Sequence, residues 1–289
     1  MKKPLITLAL FVLILLVIVI VLIRRKFIRG VWIRLFSIVE KGKIDNYHVV
    51  EKYNIDKKKD IIISCSLFGD FSNGKKGEKL YTKYFLPILK DGKNVIKKLN
   101  NSNIRIYIEP TLSPKLKQEL IDTDYEVYVM DKPSKKLGGT FWRFLALSDK
   151  KESDIVIISD TDDFFNSDSK IILNTIDSQS LDKWKNTGKK FMLRGEHNIY
   201  VPFYANRLCM RDNIIPDISK KMEKYPKENY GADEVFLKRE IWPIVKKKGF
   251  VRFTSGREKI LILGVIVIII VIVMVIFIKI TNPSKKRVF

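Results

Sequence analysis

The sequence predicts an α/β domain built on a mostly parallel sheet, and three observations carry that expectation. Four short runs rich in Val and Ile, each bounded by polar or glycine residues, read as buried strands. Segments with helical spacing of apolar residues separate them, and strands alternating with helices build parallel sheets covered on both faces. A nineteen-residue apolar run near each end brackets this pattern and sets off one polar domain.

The first apolar run, Leu5 to Ile23, has no charge and only Thr7 as a polar interruption. The second, Ile260 to Ile278, is broken only by Gly264. A bilayer core of about 30 Å needs about 20 apolar residues as helix, so each run predicts a transmembrane helix. Lys2 and Lys3 resemble the start of a signal peptide. The apolar stretch exceeds the usual ~15 residues, however, and Ile23-Arg24-Arg25-Lys26 offers no small-residue cleavage site. The expected organisation is an anchor at 1–23, a basic juxtamembrane helix and linker at 24–58, a folded domain at 59–259, a second span at 260–280 and a basic tail at 281–289. In that two-pass integral membrane protein, Arg24, Arg25 and Lys26 after the first span and Lys246 to Lys248 before the second favour a cytosolic face for the domain. The Asn100-Asn101-Ser102 sequon and the Lys286-Arg287 pair argue for the opposite face.

Within 24–58, Phe27, Val31, Trp32, Leu35 and Phe36 recur at helical spacing, which suits a helix in the headgroup layer or one packed on the domain. Residues 41–58 are polar and lysine-rich and read as linker. Ile61 to Leu67 is the first buried strand, and helical patterning follows over roughly 78–99. Ile104 to Ile108 is the second strand, and Pro114 to Ile121 a helix with Ser113 as its N-cap. Val127 to Met130 is the third strand, Thr140 to Leu147 a helix, and Ile155 to Ile158 the fourth strand.

Residues 24–259 hold all 32 acidic residues and 48 of the 54 Lys and Arg, a domain charge of +16. Such charge suits nucleic acid or anionic lipid. The lysines are scattered and no nucleic-acid module signature occurs, so membrane lipid is the expected partner and nucleic acid is not. Two cysteines, Cys65 and Cys209, make neither a disulfide framework nor a zinc site alone.

The chemistry concentrates after the fourth strand, where Ser159-Asp160-Thr161-Asp162-Asp163 places three carboxylates close together. Ligands of parallel sheets collect at the carboxyl ends of strands. Crowded carboxylates need positive charge, and Mg²⁺ or Mn²⁺ accepts one or two of them together with phosphate oxygens. In extended chain, residues i and i+2 point the same way, which would bring Asp160 and Asp162 to one metal. The other reading is an acidic N-cap, with Asp163 or Ser167 starting a helix at 168–178.

Five ordered blocks extend this pattern. They are Ser64-Cys65-Ser66-Leu67-Phe68-Gly69, Thr140-Phe141-Trp142-Arg143-Phe144, Ile158-Ser159-Asp160-Thr161-Asp162-Asp163, Met192-Leu193-Arg194-Gly195-Glu196-His197, and Tyr230-Gly231-Ala232-Asp233-Glu234 continuing to Ile241-Trp242-Pro243. Together they resemble GT-A-fold glycosyltransferases, in particular small DxD-containing members of bacteria, protists and large DNA viruses. The resemblance implies a GT-A-like, Rossmann-like sheet and transfer of a sugar from a nucleotide-diphospho-sugar to a hydroxyl acceptor. It implies that Asp160 and Asp162 hold Mn²⁺ or Mg²⁺ and that Ser66, Phe68, Arg143, Asp160 and Arg194 bind the donor. It also implies that Asp233 and Glu234 stand beside the acceptor or the sugar as catalytic carboxylates. Two departures stand out: Val201 to Arg207 lacks the family's glycine-rich stretch, and no H-D-S segment follows Pro243. These departures support a rival reading, a catalytically silent GT-A-like scaffold or lipid-surface protein. A basic nucleic-acid-handling protein or nuclease is a third reading, which the charge suggests and the motifs do not.

Overall fold

The structure is a computed structural model that describes residues 47–55, 59–134, 137–148, 154–164, 171–173, 176–194, 203, 205–206, 208–212, 215–225 and 231–253. These residues belong to one compact unit, Gly30–Phe253. Among them no helix is long and apolar enough to cross a membrane. That finding corrects the expectation of two transmembrane helices and a two-pass integral membrane placement. The longest unbroken helical stretch among the described residues, Gly74 to Lys98, carries lysines on nearly every turn. The apolar runs at 5–23 and 260–278, and the juxtamembrane helix at 24–40, lie outside the described residues.

Among the described residues the main sheet has eight strands, in chain order β1 (Val49–Tyr53), β2 (Ile61–Leu67), β3 (Ser102–Ile108), β4 (Glu126–Met130), β5 (Ile155–Ile158), β8 (Phe191–Arg194), β9 (Leu208–Arg211) and β10 (Phe250–Phe253). Across the sheet they run β1-β4-β3-β2-β5-β9-β8-β10. The short strands β6 (Ile171–Leu173) and β7 (Ile176–Asp177) pair separately, where the N-cap reading had placed a helix. β2 pairs in parallel with both β3 and β5, and β3 with β4. The β8–β10 pair is also parallel, while β9 runs antiparallel to β5 and β8. Four of the seven pairings are therefore parallel, as expected, and the sheet as a whole is mixed.

Alternation along the strands divides the interior into two layers, because successive side chains point to opposite faces. Ile61, Ile63, Cys65 and Leu67 of β2, with Ile155 and Ile157 of β5, join one core. Its helical cover is α1 (Gly74–Leu80), which continues through a single π turn (Tyr81–Phe85) into α2 (Leu86–Lys98), and α3 (Pro114–Ile121). Ser113 caps α3, its side chain accepting from the Leu116 N–H at 3.3 Å. Val156 and Ile158 of β5 face the other way, into a second core with Phe141, Phe144, Leu193, Leu208 and Met210. A third cluster of Tyr47, Tyr107, Tyr128, Met130 and Trp142 covers β3 and β4.

Two local expectations change. Residues 49–53, read as linker, form the edge strand β1 antiparallel to β4. The polar sequence misleads because an edge strand tolerates charge on both faces, and Glu51 and Lys52 are exposed there. Thr140 to Leu147, read as a helix, extends to eleven residues, Gly138–Ser148, and takes the 3₁₀ form. Its three-residue period sends Phe141, Phe144 and Leu147 together into the second core.

Candidate active site

The strand order reverses beside β2: β3 and β4 lie to one side of it, and β5 to the other. Chains leaving two parallel strands at such a point diverge and open a crevice at their carboxyl ends. A cleft of about 460 Å³ occupies that position, walled by Ser66, Leu67 and Phe68 from the end of β2 and by Asp160, Thr161 and Asp162 after β5. Thr140 and Arg143 of the 3₁₀ segment complete it, with Leu137 just before that segment and Leu80 and Tyr84 from the helix opposite. Thr140 and Arg143 stand at the i, i+3 spacing that a 3₁₀ helix aligns on one side, and Leu137 just precedes the helix.

Arg143 is the centre of the arrangement. Two serines of β2 clasp its peptide: the Arg143 N–H donates to Ser66 Oγ at 2.9 Å, and Ser64 Oγ donates to the Arg143 carbonyl at 2.7 Å. Its guanidinium is 5 % exposed and bridges two carboxylates that lie 73 residues apart in the chain. Nη1 pairs with Asp160, and Nη2 donates to Asp233 Oδ2 at 3.0 Å. Asp233 enters from the first turn of α4 (Ala232–Phe236), after Gly231, whose φ of 80° makes the left-handed entry that glycine adopts without strain. Burial pushes the Asp233 carboxyl above the ordinary carboxylate range, against the Arg143 charge, which lowers it; the Asp160 charge adds to the rise.

Asp162 has a cation of its own. Lys83, on the π turn, reaches it at 3.2 Å. The same ammonium donates to Tyr84 Oη at 2.8 Å and lies 4.5 Å from the centre of that ring. Hydrogen bonding to Tyr84, then to Asp162, holds the Lys83 amine above its usual value, against partial desolvation.

The structure thus brings Ser66, Phe68, Arg143, Asp160 and Asp162 together on the cleft, and joins Asp233 to them through Arg143 from outside the lining. Ser66 is engaged by the Arg143 backbone, so it holds Arg143 in place while lining the cleft. Phe68 packs edge-on against Trp142 at 6.2 Å. It lies so close to Gly139 that a Cβ there would meet its ring at 2.3 Å. Glu234 is buried, 5 % exposed, beside Asp233 and away from the cleft lining. Arg194 ends β8, which β5 and β9 separate from β2, and it also lies outside the lining. His197, Gly195, and Val201, Pro202, Tyr204 and Arg207 of the stretch at 201–207 lie outside the described residues. Reasoning from the sequence missed Lys83 and Tyr84, and it quoted Ser64 and Thr140 in the resemblance blocks without giving either a role. One lysine on a lysine-rich helix has no pattern to mark it.

For a divalent cation, the donor set is two partly exposed carboxylates on one wall, the Asp160 and Asp162 side chains being 37 % and 35 % exposed. The geometry departs from the extended i, i+2 pair, because a 3₁₀ turn (Thr161–Phe164) begins between them. Among the described residues no three His, Cys, Asp or Glu side chains form a ready-made cage. Two carboxylates still fit Mg²⁺ or Mn²⁺, whose remaining positions phosphate oxygens and water fill. The cysteines play no part: burial drives both thiols up, far from thiolate reactivity.

The sequence matches no protein-family model, and no curated protein matches it. Among solved structures, the chain is similar to 4-diphosphocytidyl-2C-methyl-D-erythritol synthase from Anaerococcus prevotii, at 15 % identity over 70 % of this chain and 88 % of that one, with a TM-score of 0.38. A cytidylyltransferase from Leptospira borgpetersenii aligns at 14 % identity over 68 % and 75 % of the two chains, with a TM-score of 0.38. TarS 1-349 of S. aureus in complex with UDP-GlcNAc aligns at 12 % identity over 63 % and 53 %, with a TM-score of 0.37. These likenesses are loose, and the fold and site of this chain stand on its own geometry.

Proposed function

We propose that the cleft binds a nucleotide-diphospho-sugar and transfers its sugar to a hydroxyl acceptor. The observation that carries this reading is the convergence of Asp160 and Asp233 on the buried Arg143 guanidinium, with Asp162 on the same cleft. Carboxylates 73 residues apart in the chain meet a fixed guanidinium where a parallel sheet opens, and such a fork matches phosphate oxygens.

Phe68 and Leu67 offer an apolar wall to the nucleotide base at the end of β2. Arg143 faces the diphosphate from the floor. Asp160 and Asp162 would hold Mn²⁺ or Mg²⁺, which when bound supplies neutralisation of the departing diphosphate charge. Asp233, with its raised affinity for a proton, is suited to take one from an incoming hydroxyl near neutral pH. Glu234 donates its backbone N–H to Asp233 Oδ1 at 3.0 Å and so orients that carboxylate.

Titration calorimetry of the full chain with nucleoside diphosphates in the presence of Mn²⁺ tests the reading. Wild type is expected to bind at least one of them, and Asp162→Ala to weaken it about tenfold or more, as loss of a metal ligand or its support does. If no nucleoside diphosphate binds, and Asp162→Ala behaves as wild type, the chain is a silent scaffold instead.

A further inference from the structure

The proposed diphosphate site contains its own counter-cations, and their placement carries a step beyond that reading, on which it rests. Crowded carboxylates after β5 had suggested that a metal must offset their repulsion. In the structure two side chains already do so: Arg143 on Asp160 and Lys83 on Asp162. We propose that Lys83 and Arg143 are diphosphate ligands stored on Asp162 and Asp160, and that a divalent cation arriving with a diphosphate exchanges for them on the carboxylates.

The two cations and an incoming divalent ion compete for the same oxygens, and like charges a few ångströms apart repel. Binding of the ion alone therefore displaces positive charge with nowhere to go. A diphosphate gives the ammonium and the guanidinium new oxygens within the same cleft, so metal and diphosphate bind each other's site cooperatively. Lys83 is suited to the move: its side chain is 45 % exposed, and an exposed ion pair is held weakly. Tyr84, which lines the cleft, keeps the ammonium at its mouth through the hydroxyl bond and the ring face. Arg143 is pinned by its backbone through Ser64 and Ser66, so only its guanidinium shifts.

The exchange has an opposite-sign signature. Mn²⁺ binding alone is read from the loss of free-ion paramagnetic resonance, and binding of pyrophosphate in saturating Mn²⁺ is read by calorimetry, both on the full chain. Lys83→Met is expected to bind Mn²⁺ alone about three- to tenfold more tightly and Mn²⁺-pyrophosphate about five- to tenfold more weakly, in keeping with the modest strength of one exposed charge. Lys83→Arg is expected to restore both affinities to within about twofold of wild type. Unchanged affinities in Lys83→Met, or shifts of both in one direction, overturn the exchange while leaving the diphosphate site standing. Failure of wild type to bind pyrophosphate at all removes the site and the exchange together.

Discussion

A guanidinium left 5 % exposed has given up nearly all its water, and an unpaired charge so placed costs on the order of several kcal/mol. Asp160 and Asp233 both accept hydrogen bonds from Arg143 and so lower that cost. For Asp233 the balance goes against ionisation, because burial outweighs the attraction of Arg143. The consequence for stability has a definite sign. A carboxyl whose folded pKa is raised contributes stability that is fully present below its unfolded pKa and lost as pH rises through the folded value. Asp233→Asn is therefore expected to melt higher than wild type at neutral pH, by a few degrees for about 1 kcal/mol. The difference should vanish near pH 3, where both carry a neutral group. The same variant is expected to lose transfer activity by about 10²- to 10⁴-fold, the span of a general base. Wild-type kcat/KM should rise with pH through a value above the ordinary carboxylate range. Melting curves across pH and a pH–rate profile check both statements. At this scale Asp160 and Asp162 were legible as a crowded motif, and Arg143 was marked through its resemblance block. Its clasp by Ser64 and Ser66 was hidden, since nothing in a strand sequence shows which hydroxyl meets which peptide across 77 residues.

Among the elements, the buried strands were the most readable. The β-branched runs at 61–67 and 155–158 coincide with β2 and β5, because strands buried on both faces have near-continuous apolar sequence. The 3₁₀ form of Gly138–Ser148 was not readable, since its packing on two cores at once, with Trp142 in one cluster and Phe141 in another, decides the helix type. β1 was missed because its charges suited a loop equally well. β3 and β4 carry a feature that apolar patterning cannot see: Arg105 and Glu126 pair at 2.6 Å with side chains only 2 % and 4 % exposed. The Arg105 guanidinium also lies 4.6 Å from the centre of the Tyr128 ring. Removing one member strands the other in the interior. Arg105→Met is expected to cost about 3–5 kcal/mol in denaturant unfolding, and Arg105→Met with Glu126→Leu to recover most of it. A double variant as unstable as the single one would show that the pair itself holds the sheet.

For the whole molecule, position in the sheet matters more than any single motif. β2 stands where the strand order turns, and Ser66, Phe68, Asp160 and Asp162 reach the cleft because their strands end there. That topology follows from alternating strands and helices, so the location of the site was readable from sequence order. The mixed edge formed by β9, β8 and β10 was less so, because those strands are four residues each and lack long apolar runs. The lysine-rich composition obscured Lys83 for the same reason that it suggested nucleic acid: when cations are everywhere, placement in space alone separates a working charge from a solvating one. The proposed diphosphate cleft, with Asp160, Asp162 and Arg143 on its wall, is tested most directly by locating a bound Mn²⁺ through its anomalous scattering in crystals of the full chain soaked with a nucleoside diphosphate. The expected result is a single peak between Asp160 and Asp162, with the diphosphate against Arg143 and the base beside Phe68. A peak or a nucleotide elsewhere on the chain, or a cleft left unfilled at saturating ligand, would contradict it.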